Sequence, residues 1–378
     1  MYITVKDTAN LPTVGRNDFI DNLFSGIEVD TLPAITYTEE PLIRTKTYKV
    51  DEIQTDIISE DRFRLAMEHI MQVIKDIQPV EHYKEFKIPK KTHGFRTINA
   101  PDDILKPKMA KVAKILSDEL QILAHDSAWA YVKGRDVITA MKEHQKNNSR
   151  WFLKLDLKDF FGSCSVDFIV QQLEKIYPFA VYPSTMTRVI ANFATLNGGL
   201  PQGTPLSPML TNLIMVEIDY KINRLIYDLT QEAGLFKQHY VYTRYADDII
   251  ISAKNNFKYD IIIEAIDNLL EDTPLTINRE KVRYGSSSGR NWNLGIMYNK
   301  NNELTIGYRE KQKLKVTIYN YIHDGLWPLE DLRWLLGKLN WLHNVQPDYF
   351  EGLMNYYKNK YNVDVIKNII SDIKTYNN

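Results

Sequence analysis

The feature that most restricts what this chain can become is a pair of adjacent aspartates, Asp247 and Asp248, set between two apolar runs. Residues 240–244 and 248–252 read as the strands of a hairpin around a tight Tyr245-Ala-Asp-Asp248 turn. Aspartate is common in turns because its short side chain tolerates turn geometry. Here Ile249, Ile250 and Ile251 follow at once, a strand too apolar to be left in water. Carboxylates at the mouth of such a hairpin carry a desolvation cost unless positive charge joins them. A third acid, Asp156, closes another apolar run, Phe152-Leu-Lys-Leu-Asp156. Phosphoryl transfer between nucleotides needs two hard cations held by aspartates that converge from separate strand ends. Mg²⁺ prefers such oxygens and keeps water and substrate phosphates as its other ligands.

Periodicity supplies the surroundings. From Arg62 to Ile77 apolar residues recur at helical spacing, with Asp61 or Ser59 as cap. Residues 83–88 and 95–98 read as a hairpin with a basic turn, followed by a helix over 106–123. A strand over 151–157 precedes a helix from Val166, and a Gly-Gly-Leu-Pro-Gln-Gly turn at 198–203 leads into a helix ending near Ile226. A helix over 259–271 and short strands around 293–298 and 303–307 follow, and the tail from Lys311 is helical with breaks at Pro328 and Pro347. Residues 1 to about 58 show little periodicity and read as an irregular lead-in. No repeat or low-complexity linker separates these parts, which suits one multi-subdomain α+β enzyme.

Composition excludes several classes. One cysteine, Cys164, leaves no internal disulfide and no cysteine-based zinc site, and a small buried apolar role is expected for it. No apolar run approaches a membrane span, and the start lacks a secretory pattern, so a reducing cytoplasm is expected. The net charge of −1 hides its distribution. Residues 21–60 hold nine acids and three bases, whereas residues 84–114 and 279–315 each hold nine bases and three acids. Two basic blocks flanking a nearly neutral middle suit phosphates tracked on either side of a catalytic centre. The eight histidines show no metal-ligand spacing.

These words, taken in order, resemble the reverse-transcriptase family, in its bacterial retron and group II intron-like branch. Lys154-Leu-Asp-Leu-Lys-Asp-Phe-Phe-Gly-Ser163 is similar to motif A, and Gly199-Leu-Pro-Gln-Gly-Thr-Pro-Leu-Ser-Pro208 with Thr211-Asn212 to motif B. Tyr242-Thr-Arg-Tyr-Ala-Asp-Asp248 is similar to motif C, Ile277-Asn-Arg-Glu-Lys281 to motif D, and Asn293-Leu-Gly-Ile296 to the primer-grip region. Upstream, His93-Gly-Phe-Arg96, Ala100-Pro101, Leu105-Lys106 and Gly134-Arg135 resemble fingers motifs. Downstream, Gly337-Lys-Leu-Asn340 and residues 344–349 resemble thumb helices. The resemblance runs from about residue 82 to 360.

It implies a right-hand polymerase: a lead-in over 1–60, fingers over 61–150 with part of the palm, a palm of antiparallel sheet and helices over 151–292, a primer grip over 293–310 and a helical thumb over 311–378. It also implies an RNA-directed DNA polymerase that uses dNTPs and two Mg²⁺ ions, with Mn²⁺ as a substitute. Asp156 and Asp247 would bind both metals, Asp248 would support them, and Leu157 would lend a carbonyl. Phe161 would be the steric gate against a ribose 2′-hydroxyl, with one of Phe160 and Phe161 in the core. Lys90, Lys91 and Arg96 would cradle the triphosphate, and Gln202 and Gly203 would lie near the nucleotide and template. Lys281 is the candidate general acid for pyrophosphate, and Tyr245, Leu294 and Gly295 would meet the primer end.

The branch is narrower than the family. The Val-Thr-Gly triplet of retron enzymes is replaced by Asn293-Leu-Gly-Ile296, and His144, where such enzymes often carry a histidine after Asn-Ala, follows Ala140-Met141. Nothing after the thumb resembles an RNase H or endonuclease. The resemblance therefore implies a stand-alone enzyme close to defence-associated reverse transcriptases, copying a partner non-coding RNA into a DNA product during phage infection. A protein partner or homo-oligomer is compatible with this. Untemplated or protein-primed synthesis by the same palm is the alternative, and a non-catalytic RNA-binding scaffold the less favoured one.

Overall fold

The computed structural model describes residues 58–89, 94–120, 124–182, 184–232, 238–289 and 293–376; the expected lead-in therefore lies almost wholly outside the described residues. Helix α1 (Glu60–Ile74) starts where Ser59 accepts a bond from the Arg62 amide, and it stops before Ile77 because Asp76 takes positive φ. Strands β1 (Tyr83–Pro89) and β2 (Phe95–Pro101) form the expected antiparallel hairpin. Helix α2 (Leu105–Lys114) is shorter than its periodicity suggests, because it passes into a wider turn at Ile115–Glu119 where Leu120 N–H reaches back to the Ile115 carbonyl. A helix the sequence reading did not anticipate, α3 (Val137–Lys146), opens on a capping box between Asp136 and Thr139.

After β3 (Trp151–Asp156) come α4 (Val166–Leu173), capped by Ser165, and α5 (Met186–Ala194). The expected helix ending near Ile226 is instead two, α6 (Ser207–Ile214) and α7 (Val216–Glu232), the second running a turn and a half further. Strands β4 (Tyr240–Tyr245) and β5 (Asp248–Ala253), helix α8 (Tyr259–Leu270) and strand β6 (Arg283–Ser286) follow. A small hairpin of β7 (Met297–Tyr298) and β8 (Leu304–Thr305) leads into helices α9 (Tyr308–His323), α10 (Leu329–Val345), α11 (Pro347–Tyr361) and α12 (Val365–Thr375). Pro328 and Pro347 stand at helix starts, where a missing N–H costs nothing. No described helix is long and apolar enough to cross a membrane.

The central sheet has the order β4-β5-β3-β6, antiparallel throughout, and it separates two hydrophobic clusters. Side chains alternate across a strand. Leu153, Leu155, Ile249 and Ile251 face the first cluster with α1, α2 and α4–α8. Phe152 and Ile250 face the second, with Ile138 and Met141 of α3 and the C-terminal helices.

His144 fastens this second face. It is fully buried, with Nδ1 2.6 Å from Ser252 Oγ and Nε2 2.8 Å from Thr243 Oγ1, and Ser252 Oγ donates onward to Ser149 Oγ at 2.7 Å. That chain of donors puts the proton of a neutral imidazole on Nδ1. Burial holds its pKa down to about 3 from an ordinary 6.5. The stability this group contributes is complete above pH 6.5 and is lost as pH falls towards 3, because only the unfolded chain takes up the proton. The expected slope from this one residue is about 1.4 kcal/mol per pH unit over that window. His144→Gln flattens it, as thermal midpoints measured against pH would record.

Candidate active site

Pairing of Tyr245 with Asp248 leaves Ala246 and Asp247 as a two-residue turn. Ala246 has φ of +57°, the positive value that a type II′ hairpin needs at its first turn position and that a side-chain-bearing residue adopts at a cost. Asp156 of β3 lies directly opposite Asp248 of β5, so the two carboxylates leave one face of the sheet at one end. The Leu157 amide donates to the Asp247 carbonyl at 3.0 Å, which ties the turn to the end of β3. Two acids from two strands and a third from the turn thus come together at one end of the sheet.

Their charges are met unequally. Lys281 Nζ lies 2.8 and 3.0 Å from the two oxygens of Asp156, and Asn278 adds its side-chain amide at 3.3 Å and its backbone N–H to the Asp156 carbonyl at 2.8 Å. Lys154 Nζ lies 3.1 Å from Asp248. Asp247 forms no ion pair among the described residues, and burial, then the neighbouring Asp248 and Asp156 charges, raise its carboxyl pKa. No three His, Cys, Asp or Glu side chains are assembled as a ready-made cage among the described residues. The donor set still fits hard cations: it offers only carboxylate oxygen, the half-buried Asp247 has its charge disfavoured, and the ammonium on Asp156 belongs to a side chain 61% exposed. Such a lysine is free to leave when a cation arrives.

The other anticipated residues fall as follows. Phe160 is buried in the first cluster, and Phe161 is half-buried, meeting it edge-on with centroids 5.7 Å apart. The Phe161 carbonyl accepts from Leu200 N–H at 2.9 Å, and a Cβ built on Gly199 would lie 2.4 Å from the Gly162 carbonyl oxygen. Backbone touches backbone there, which is why position 199 is glycine, whereas a Cβ on Gly162 would meet the Asp159 carboxylate at 2.3–2.8 Å. Gly203 has φ of +103°, and its open side lies against Ile98 of β2, so the Gln202–Gly203 turn abuts the strand that carries Arg96. Gln202 is half-buried. Lys90 and Lys91, and the side chain of Arg96, lie outside the described residues. Tyr245 is half-buried at the sheet's end. Leu294 and Gly295, both at positive φ, form a separate tight turn closed by mutual backbone bonds of Asn293 and Ile296 at 2.9 Å, packed on the second cluster. Cys164 is buried, as expected.

Sequence reasoning did not single out Lys154 or Asn278. The signal for Lys154 was present, since it sits two residues before Asp156 on the same strand and so on the same face. Asn278 gave none, because its contact depends on how the 276–278 segment crosses β3.

Residues 88–319 match the family described as reverse transcriptase (RNA-dependent DNA polymerase). Retron Ec83 reverse transcriptase of Escherichia coli is 27% identical over 309 residues, 79% of this chain and 92% of that protein. Retron Ec73 reverse transcriptase of the same organism is 26% identical over 283 residues, 72% of this chain and 86% of that one. Among solved structures, apo telomerase from Candida tropicalis aligns at a TM-score of 0.44 and 12% identity, covering 79% of this chain and 64% of the telomerase chain.

Proposed function

We propose, for a chain that belongs to the reverse transcriptase family and is an RNA-directed DNA polymerase, that Asp156, Asp247 and Asp248 hold two Mg²⁺ ions at which dNTPs are added to a primer 3′-hydroxyl. One observation carries the reading: Asp156 stands directly opposite Asp248 while the adjoining turn presents Asp247, half-buried and without an ion-pair partner among the described residues. When bound, the cations make the hydroxyl a better nucleophile and offset charge on the departing pyrophosphate; Mn²⁺ can replace Mg²⁺.

The chain's own groups do the rest. Leu157 lends its carbonyl to the metal site. Lys281 is released from Asp156 and gives a proton to the pyrophosphate oxygen as the bond to the α-phosphorus breaks. Arg96, with Lys90 and Lys91, grips the triphosphate, a role for which the planar guanidinium supplies orientation. Gln202 and Gly203 border the nucleotide and template, while Tyr245, Leu294 and Gly295 seat the primer. The template is a partner non-coding RNA, and the setting is anti-phage defence. Sequencing the nucleic acid that copurifies with the protein tests this; a random sample of cellular RNA would count against it.

Incorporation of dNTPs on an RNA template should require Mg²⁺ or Mn²⁺ and stop with chelator; failure with every template and either ion overturns the reading. Phe161, half-buried beside a core Phe160, is the gate that excludes the ribose hydroxyl. Phe161→Ala is expected to lower the preference for dNTPs over rNTPs by at least about tenfold, read as a ratio of kcat/KM values. Unchanged exclusion of rNTPs would place the gate elsewhere.

A further inference from the structure

Arg244 heads the large side chains that are fully buried among the described residues, and it precedes the Tyr245–Asp248 turn by one position. A buried guanidinium is tolerated only when its donors are met. Here Nε donates to both oxygens of Asp219 at 2.8 and 3.1 Å, and Nη2 donates to Asp219 Oδ2 at 2.7 Å. Asp219 is itself fully buried and also accepts from the Tyr242 hydroxyl at 2.6 Å. The remaining nitrogen, Nη1, donates to Asn212 Oδ1 and to the Ala246 carbonyl, each at 3.2 Å. Asn212 is fixed in turn by donating to the Ala130 carbonyl at 2.8 Å.

Stability alone is a poor reason for this arrangement. Apolar residues of equal volume commonly serve as well as a buried ion pair or better. What they cannot supply is direction, which a planar fork of fixed donors does. Asp219 comes from α7 and Asn212 from α6, so two helices aim one guanidinium at one turn carbonyl. That carbonyl belongs to Ala246, the turn residue held at positive φ, whose relaxation would redirect the next side chain, Asp247.

We propose that Arg244 is a positioning residue for catalysis: aimed by Asp219 and Asn212, it clamps the Ala246 peptide and so sets the direction in which Asp247 leaves the turn. The inference rests on the reading that Asp247 serves the reaction. It does not require Arg244 to touch substrate or cation.

The test compares Arg244→Lys, Asn212→Ala, Asn212→Asp and Asp247→Asn in the full chain. The readouts are kcat and KM for dNTP, affinity for template–primer, thermal midpoint, and amide exchange of residues 244–248 without nucleotide or metal. Arg244→Lys keeps the charge but loses the fork, and kcat should fall on the order of 10²-fold, the cost of a small misplacement at a reacting centre. KM and template–primer affinity should stay within about twofold, because binding is not what the clamp serves. Exchange of the 245–248 amides should quicken relative to β3. Asn212→Ala, which leaves the ion pair intact, should lower kcat about tenfold, and Asn212→Asp, which keeps the acceptor for Arg244 but loses the donor to the Ala130 carbonyl, should recover only part of it. Wild-type kcat in Arg244→Lys, or in Asn212→Ala should the lysine variant not fold, overturns the clamp. So does a kcat loss matched by an equal loss of template–primer affinity. An Asp247→Asn enzyme that still extends primers overturns the reading of the site and the clamp with it.

Discussion

Asp156→Asn is expected to stop primer extension while leaving the protein folded. The substitution keeps shape and one oxygen, so the backbone bond from Asn278 N–H to the residue 156 carbonyl survives, as does pairing with Asp248. What is lost is a buried charge paired with the mostly exposed Lys281, and with it goes the repulsion that this charge exerts on the neighbouring Asp247. The thermal midpoint should therefore hardly move. Activity should fall by at least about 10³-fold, beyond the roughly 10–100-fold typical of a residue that only supports a ligand, because in the proposed reaction this carboxylate would itself hold the cations. Single-turnover extension on an RNA template measures the loss, and circular dichroism checks the fold. Residual extension within about tenfold of wild type would remove Asp156 from the reaction.

Gly199→Ala is the second large effect, and its cause is steric. The added methyl would meet the Gly162 carbonyl oxygen, carbon and Cα at 2.4–2.8 Å, and none of these atoms is a side chain that can swing aside. The two loops must part, which breaks the 2.9 Å bond from Leu200 N–H to the Phe161 carbonyl. Overpacking of this kind costs about 1–3 kcal/mol. The displaced residue is the one assigned to sugar discrimination, so rNTP exclusion should weaken together with stability. Gly337→Ala is the control: nothing lies within 4 Å of its Cβ position in α10, and the change should stabilise by up to about 1 kcal/mol. Equal midpoints and equal sugar selectivity in wild type and Gly199→Ala would show that the loops do not constrain each other.

How far the sequence alone reaches can be traced through particular residues. Strand β3 and the β4–β5 hairpin were legible because alternation and a two-residue turn are local properties, and the carboxylates followed from them. Strand β6 was not, since Arg283–Ser286 is short, polar and only half-covered at the sheet's edge, and pairing with β3 alone makes it a strand. Helix α3 carries its signal in an Asp-x-x-Thr cap rather than in the usual acidic partner, and it was missed. The 106–123 segment keeps helical spacing in its side chains while its backbone changes hydrogen-bond register at Ile115, which periodicity does not record. Arg244 was quoted within its motif but given no role. Its neighbours Asp219 and Asn212 lie 25 and 32 positions away in the chain, and only the fold brings them together.

The sheet that carries the aspartates is also the wall between two oily compartments, and this bears on anyone who wishes to recombine such enzymes. A chimaera that imports the C-terminal helices from a relative inherits one half of a lock whose other half is the small β7–β8 hairpin together with Ile138, Met141, Phe152 and Ile250. Those four sit outside the transplanted stretch, and two of them lie on the very strands that end in Asp156 and begin at Asp248. Grafts cut at residue 307 should inherit a mismatched seam beneath the chemistry, whereas grafts that carry these four along should keep the strands true.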